Sequence, residues 1–325
     1  MRRFATMAWM FAISFLTATV SLASPPVTVV HPFDLTMGQL PESVTTDAAG
    51  NLFISVGGTV SKYTTDHQLV RLATLPLPNG GSSLGIKVGP DGALYVASAA
   101  FTPGVVASFV WRVSPTGQVS VFATLPPEGI PNDLAFDDRG DLYVTDSGLG
   151  QIWKIGPNGK PEVWLADPLL QGDPAHPAAV IHALGANGLA FDRSGHYLYV
   201  SNTDYGRILR IRIQHGQARD IDIVATSPLL VGADGIALDI LGTLYVAVNT
   251  TDRIVTVDHH GAVAVLVEGS PLDSPSSLAF GSGCADHHTL YLTNFAIQHA
   301  LGIRPGMPAP SLASVPVPFR GIDLP

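Results

Sequence analysis

The chain has 325 residues, 46% of them hydrophobic and only 13% charged, with 33 glycines and 26 prolines. So apolar a composition excludes a disordered chain, and β-repeat folds reach this length as one domain. A formal net charge of −9 argues against nucleic acid and anionic membrane surfaces as partners. A single cysteine, Cys284, excludes a disulfide framework and a thiolate metal cluster.

Met1 to Ala23 reads as a secretory signal. Arg2 and Arg3 precede an apolar run from Met7 to Val20, and small residues close it at Ser21-Leu-Ala23. The run is short for a membrane span. Export to a periplasm or out of the cell is therefore expected, with residues 24–325 forming one soluble domain that leaves the membrane once the signal is cut. That mature part keeps 15 basic against 26 acidic residues. Its composition suits a cation or a small neutral ligand, and leaves the oligomeric state open.

The mature chain repeats one phrase. Its clearest copy is Pro131-Asn-Asp-Leu-Ala-Phe-Asp-Asp-Arg-Gly-Asp-Leu-Tyr-Val-Thr-Asp-Ser147, which predicts a strand, a turn at Asp138 to Gly140, and a second strand. Copies open at residues 42, 84, 132, 187, 234 and 276, a period of 42 to 55 residues. Two further strands follow in each unit. In the third they are Gln151–Ile155 and Pro161–Leu165, joined by Pro157-Asn-Gly159. Four strands per unit, six times over, predict an all-β, six-bladed β-propeller. Blade six is short of strands, and Val27 to Val30 has no partner in its own repeat. The N-terminal strand is expected to complete blade six beside Leu312 to Val317 and close the ring. Two long connections, 99–107 and 167–185, are expected to rim the mouth where the innermost strands begin, with Phe101, His176 and His182 as lining.

Aligned on Leu-Tyr-Val, the residue that opens each copy reads Glu42, Leu84, Asn132, Asn187, Asp234 and Ser276. These positions precede the innermost strands, so Glu42, Asn132, Asn187 and Asp234 should converge on the axis. Four oxygen donors with neither His nor Cys suit a hard divalent cation. Calcium fits best, with magnesium, manganese or zinc as substitutes. Asn-Gly and Asp-Gly are also common turn pairs, but Glu is not a turn residue. Two other polar columns are assigned structural work. Asp47, Asp137, Asp192 and Asp239 precede Gly-bearing turns. Asp146, Asn202, Asn249 and Asn294 close the second strands and are expected to tie blades together.

On these motifs (Pro41-Glu42-Ser, Pro131-Asn132-Asp133, Ala186-Asn187-Gly188 and Ala233-Asp234-Gly235) the mature chain resembles the gluconolactonase/regucalcin, or senescence marker protein, family. The resemblance implies one divalent cation, commonly calcium, held by Glu42, Asn187 and Asp234, with Asn132 lining the site or contacting substrate. The chain departs from the sugar-lactone members in reading Pro-Glu-Ser where they have Glu-Gly-Pro. Blade two offers Leu84-Gly-Ile-Lys and a loop with Phe101 and Val105, without an Arg to grip a sugar. A more hydrophobic lactone or ester is the expected substrate. Metal-polarised attack by water would then use Asp234 as base, with His182 as its substitute. Two other readings stay open: a non-enzymatic propeller with a structural calcium, and a metal-free enzyme of the strictosidine-synthase type.

Overall fold

The computed structural model describes residues 24–102, 104–175, 183–283 and 286–322. They form six four-stranded antiparallel sheets arranged as the blades of a propeller. The innermost strands are Pro41–Thr46, Gly81–Val88, Pro131–Phe136, Ala186–Phe191, Ala233–Leu238 and Pro275–Phe280. Burial falls from the axis outward, as blade three illustrates. Every residue of its second strand, Leu142–Asp146, is buried, the third strand alternates, and Pro161–Ala166 is largely exposed. The second strands bury both faces between neighbouring blades, which is why they read as continuous β-branched and aromatic runs.

The repeated phrase is an interface motif. In three of the four Leu-Tyr-Val copies the Tyr packs edge-on against the Phe that ends the next blade's innermost strand. Ring centroids lie 5.0 Å apart for Tyr95 and Phe136, 5.2 Å for Tyr143 and Phe191, and 5.5 Å for Tyr245 and Phe280. Such pairs contribute about 0.5–1.5 kcal/mol each beyond area burial. The turn column also behaves as expected. Asp137 Oδ1 accepts the N–H groups of Arg139 and Asp141, and Asp47 Oδ1 those of Ala49 and Asn51. Gly140 and Gly50 follow in the left-handed region, at φ 82° and 85°.

Ring closure follows the predicted route. Thr28–Pro32 pairs antiparallel with Ser311–Pro316 as the outermost strand of the blade built from Pro275–Phe280 and Thr289–Asn294. One hairpin is longer than the sequence suggests. Blade four's outer strands run Arg207–Gln214 and Gln217–Thr226, because His215 and Gly216 both take positive φ (54° and 74°) and make a two-residue turn. Positive φ is uncommon outside glycine, although His is among the residues that adopt it more readily.

Register places the long connections. Gly81 pairs with Ala100, so the loop from residue 101 leaves at the end where the innermost strands begin. Ala166 pairs with Gln151, Gln151 with Asp146, and Asp146 with Pro131, so 167–185 leaves at that same end. A third connection, 295–310, joins them there, since Asn294 pairs with Pro275. Among the described residues no helix is long and apolar enough to cross a membrane. The expected signal, Met1 to Ala23, and Cys284 lie outside the described residues.

Candidate metal centre at the channel axis

Five of the six opening residues meet, while Leu84 packs into the apolar core. Glu42, Asn132, Asn187 and Asp234 all line one cavity of about 10 Å³ together with Ser43, Gly85, Asp133 and Ser276. That is about the room one water or one monatomic ion needs. All four candidate ligands are buried, at 5%, 8%, 3% and 5% relative exposure, so their oxygens cannot be satisfied by bulk water.

Hydroxyls from the preceding blade fix their backbones. The residue after Leu-Tyr-Val is Ser or Thr where this matters. Thr145 Oγ1 donates to the Asn187 carbonyl, Ser201 Oγ to that of Asp234 at 2.6 Å, and Thr293 Oγ1 to that of Glu42 at 2.8 Å. Glu42 gains a second donor, Ser276 Oγ, at 2.5 Å. The glycines of Asn187-Gly188 and Asp234-Gly235 are not turn residues. Neither has positive φ, and both lie inside strands. They are small because a neighbouring blade presses on them. A Cβ on Gly188 would lie 2.4 Å from the Asp234 carbonyl oxygen, and one on Gly85 2.3 Å from that of Asn132. Gly188→Ala is therefore expected to cost about 1–3 kcal/mol by overpacking. Thermal melts check this, and an unchanged midpoint would mean the blades separate freely.

Side-chain polarity shows what the cavity lacks. Thr203 Oγ1 donates to the Ala233 carbonyl at 2.8 Å, so its oxygen accepts from Asn187 Nδ2 at 3.1 Å. That leaves Asn187 Oδ1 turned away from its anchor, buried and without a partner. Glu42 Oε2 is likewise buried and unpartnered. Two such oxygens on one ion-sized cavity are costly unless a cation answers them. Asn249 Nδ2 holds Asp234 Oδ2 at 2.8 Å. Among the described residues no group of three or more His, Cys, Asp or Glu is placed to hold a metal. The set here is two carboxylates and two amides, all oxygen donors, and it fits a hard divalent cation.

The electrostatics agree. Burial raises the Glu42 carboxyl well above the ordinary range, and the neighbouring Asp234 and Asp133 add to it. Asp234 is pushed up to about 7, chiefly by burial and further by Asp133, while the Asn249 and Asn187 amides and the Gly235 N–H pull it back. Asp133 is raised by burial and partly compensated by the Lys87 ammonium and the N–H groups of Leu134 and Leu189. Three acids crowd one low-dielectric point, and without a positive charge they cannot all ionise.

Of the other expected residues, Phe101 packs half-buried against the core that includes Leu84, Ala99 and Ile130. It lines neither this cavity nor the larger chamber at the far end of the channel. His182 and His176 lie outside the described residues. Asp204 Oδ2 accepts the N–H groups of Asp173 and Leu184, on either side of that stretch. In the third polar column, Asp146 does tie its blade, accepting from Ile130 N, Leu149 N and Trp153 Nε1. Asn202 and Asn294 hold loop carbonyls in the same way. Asn249 does not, because it reaches the site. Sequence reasoning gave Asn249 chiefly a structural role, with the mouth as the alternative, and missed Thr203 and Asp133. The signal for Asp133 was present: the position after each opening residue reads Ser43, Gly85, Asp133, Gly188, Gly235 and Ser277, with one charge among small residues.

Solved structures share this architecture. The chain is similar to a calcium-binding protein, regucalcin, from Agrobacterium tumefaciens, at TM-score 0.67 and 17% identity over 93% of this chain and 97% of that one. It is similar to a gluconolactonase from Xanthomonas campestris, at TM-score 0.60 and 17% identity over 92% and 99%. It is also similar to a virginiamycin B lyase from Staphylococcus aureus, at TM-score 0.59 and 17% identity over 83% and 82%. At such identities these likenesses show the fold, and the fold serves more than one chemistry. No curated protein matches the chain in sequence. A family model does: the SMP-30/gluconolactonase/LRE-like region matches residues 100–296, which hold Asn132, Asn187 and Asp234 and most of the blades. On that match the chain belongs to the SMP-30/gluconolactonase/LRE-like family.

Proposed function

We propose that the protein is an exported hydrolase that opens a lactone, or a related ester, at the axial end of the channel with the help of one divalent cation. The reading rests on one observation above all. In a chain of this family, Glu42 Oε2 and Asn187 Oδ1 are buried and unpartnered on an ion-sized cavity that Asn132 and Asp234 also line. Glu42, Asn132, Asn187 and Asp234 would hold the cation, calcium by preference, and a bound cation supplies Lewis-acid polarisation of the substrate carbonyl.

The chain's own groups do the rest. Asn249 fixes one oxygen of Asp234 and Thr203 fixes the Asn187 amide, so both side chains meet the substrate in one orientation. That is the preorganisation a polar transition state needs. Asp234 would also act as the general base that takes a proton from water and returns it to the leaving oxygen.

A panel of aliphatic, aromatic and sugar lactones tests the reading, with acid release followed in calcium and in chelator. Turnover that chelator abolishes is expected, strongest on the apolar rings. No turnover on any lactone, with calcium still raising the melting temperature, would replace the enzyme by a propeller with a structural ion. Turnover indifferent to chelator would favour metal-free chemistry of the strictosidine-synthase type.

A further inference from the structure

The innermost strands carry one more column. Three residues after each opening position the chain reads Thr45, Lys87, Ala135, Ala190, Ala237 and Ala279. All six line a second chamber of about 1240 Å³ at the other end of the channel, beyond the candidate metal centre. Four of the six contribute only a methyl group. The fifth is a hydroxyl, and the sixth is an ammonium.

Lys87 is out of keeping with that ring. Its blade shares the strand pattern of the others, and Ala would serve there as it does in four blades. The ammonium is half-buried, and among the described residues it has neither hydrogen bond nor ion pair. Asp133 feels its charge, but both Asp133 oxygens are engaged by backbone, Oδ1 by Leu134 N at 2.8 Å and Oδ2 by Leu189 N at 3.2 Å. The acids around the chamber do not answer it either. Asp47, Asp137 and Asp192 each accept an amide of their own turn, and Asp138 stands exposed. Arg139 and Arg193 stand exposed at the chamber's rim and add positive potential. The side walls are apolar, formed by Phe136, Phe191 and Phe280, each a partner in the inter-blade contacts. Lys62 and Arg320 also line the chamber, but Lys87 alone stands in the inner ring, and a large, mainly apolar concavity with a few converging charged groups is the usual form of a small-molecule site.

We propose that this chamber is a second binding site, for an apolar molecule bearing one carboxylate that pairs with the Lys87 ammonium. The hydrocarbon part would lie against the Phe136, Phe191 and Phe280 rings. The carboxylate would replace water on a half-buried cation, where an ion pair is stronger than at an open surface. The site stands apart from the metal centre, so it holds whether or not that centre turns over a lactone.

Octanoate is the probe, titrated calorimetrically into the mature chain in chelator, with 1-octanol as its uncharged counterpart. One octanoate per chain is expected. Lys87→Met, which keeps the stem and removes the charge, should weaken octanoate at least tenfold and leave 1-octanol unchanged. Glu42→Gln, at the far end of the channel, should bind octanoate as the parent does. Absent binding, equal affinity in Lys87→Met, or loss in Glu42→Gln would each overturn the proposal. Should Lys87→Met fail to fold, Lys87→Gln removes the charge while keeping a polar end group. Undiminished octanoate affinity in that variant would overturn the proposal equally.

Discussion

Asp234→Ala is expected to abolish lactone hydrolysis, lowering kcat/KM by on the order of 10³ or more, and to weaken calcium by at least about 100-fold. The same variant should melt higher than the parent in chelator. The reason is a conflict built into the site. Glu42, Asp133 and Asp234 share a desolvated point, where Asp133 raises the cost of ionising both of the others and Asp234 raises that of Glu42. Removing one carboxyl relieves that repulsion and removes the group that would hold a cation and move the proton. Function and cation-free stability should therefore move in opposite directions at this position. Isothermal titration with calcium, a lactone assay and a thermal melt read the three effects on one sample. An Asp234→Ala protein that still turns over substrate would remove Asp234 from the mechanism. A loss of circular dichroism alongside activity would reduce the result to misfolding, and Asp234→Asn, which keeps the size and the Asn249 contact, then decides.

Raising the pH in chelator is expected to destabilise the protein, and calcium to reverse it. The unfolded chain's aspartates titrate near 3.9, whereas folded Asp234 holds its proton up to about 7. Between those values the folded state binds more protons than the unfolded one, so stability falls as pH rises. Asp234 alone contributes roughly 4 kcal/mol over that window, and Glu42 moves in the same direction. For a chain of this size the drop corresponds to a melting temperature lower by on the order of 10 °C between pH 4.5 and 7.5. A cation on the ionised carboxylates stabilises the folded state by mass action, so calcium affinity should climb over the same range. A flat melting temperature from pH 4.5 to 7.5 in chelator would mean these carboxyls are solvated.

Much of this was legible in the chain alone, and for identifiable reasons. Six copies of one phrase, each with Asp and Gly in its turn, dictate strand, turn and strand by local chemistry, and the period dictates the blade. Glu42, Asn132, Asn187 and Asp234 could be found because a propeller converts a fixed place in each repeat into a fixed place on the axis. The unpaired Val27 to Val30 segment foretold ring closure because a strand without a neighbour must find one. What the residues could not give were relations between blades. Gly188 and Gly235 looked like turn residues, and only the approach of the next blade's carbonyl shows that they make room. Thr203 carries no motif of its own, and Asn249 belongs to a column whose other described members work elsewhere. Their importance lies in where their hydrogen bonds end, on Asn187 and Asp234, and that is set by packing across an interface. Lys87 was visible as a departure from alanine, but its meaning needed the chamber. Local sequence determined the strands, the repeat and the four axial oxygens. The tertiary structure alone decided which polar atoms were left without partners, because satisfaction of a buried group depends on neighbours tens of residues away.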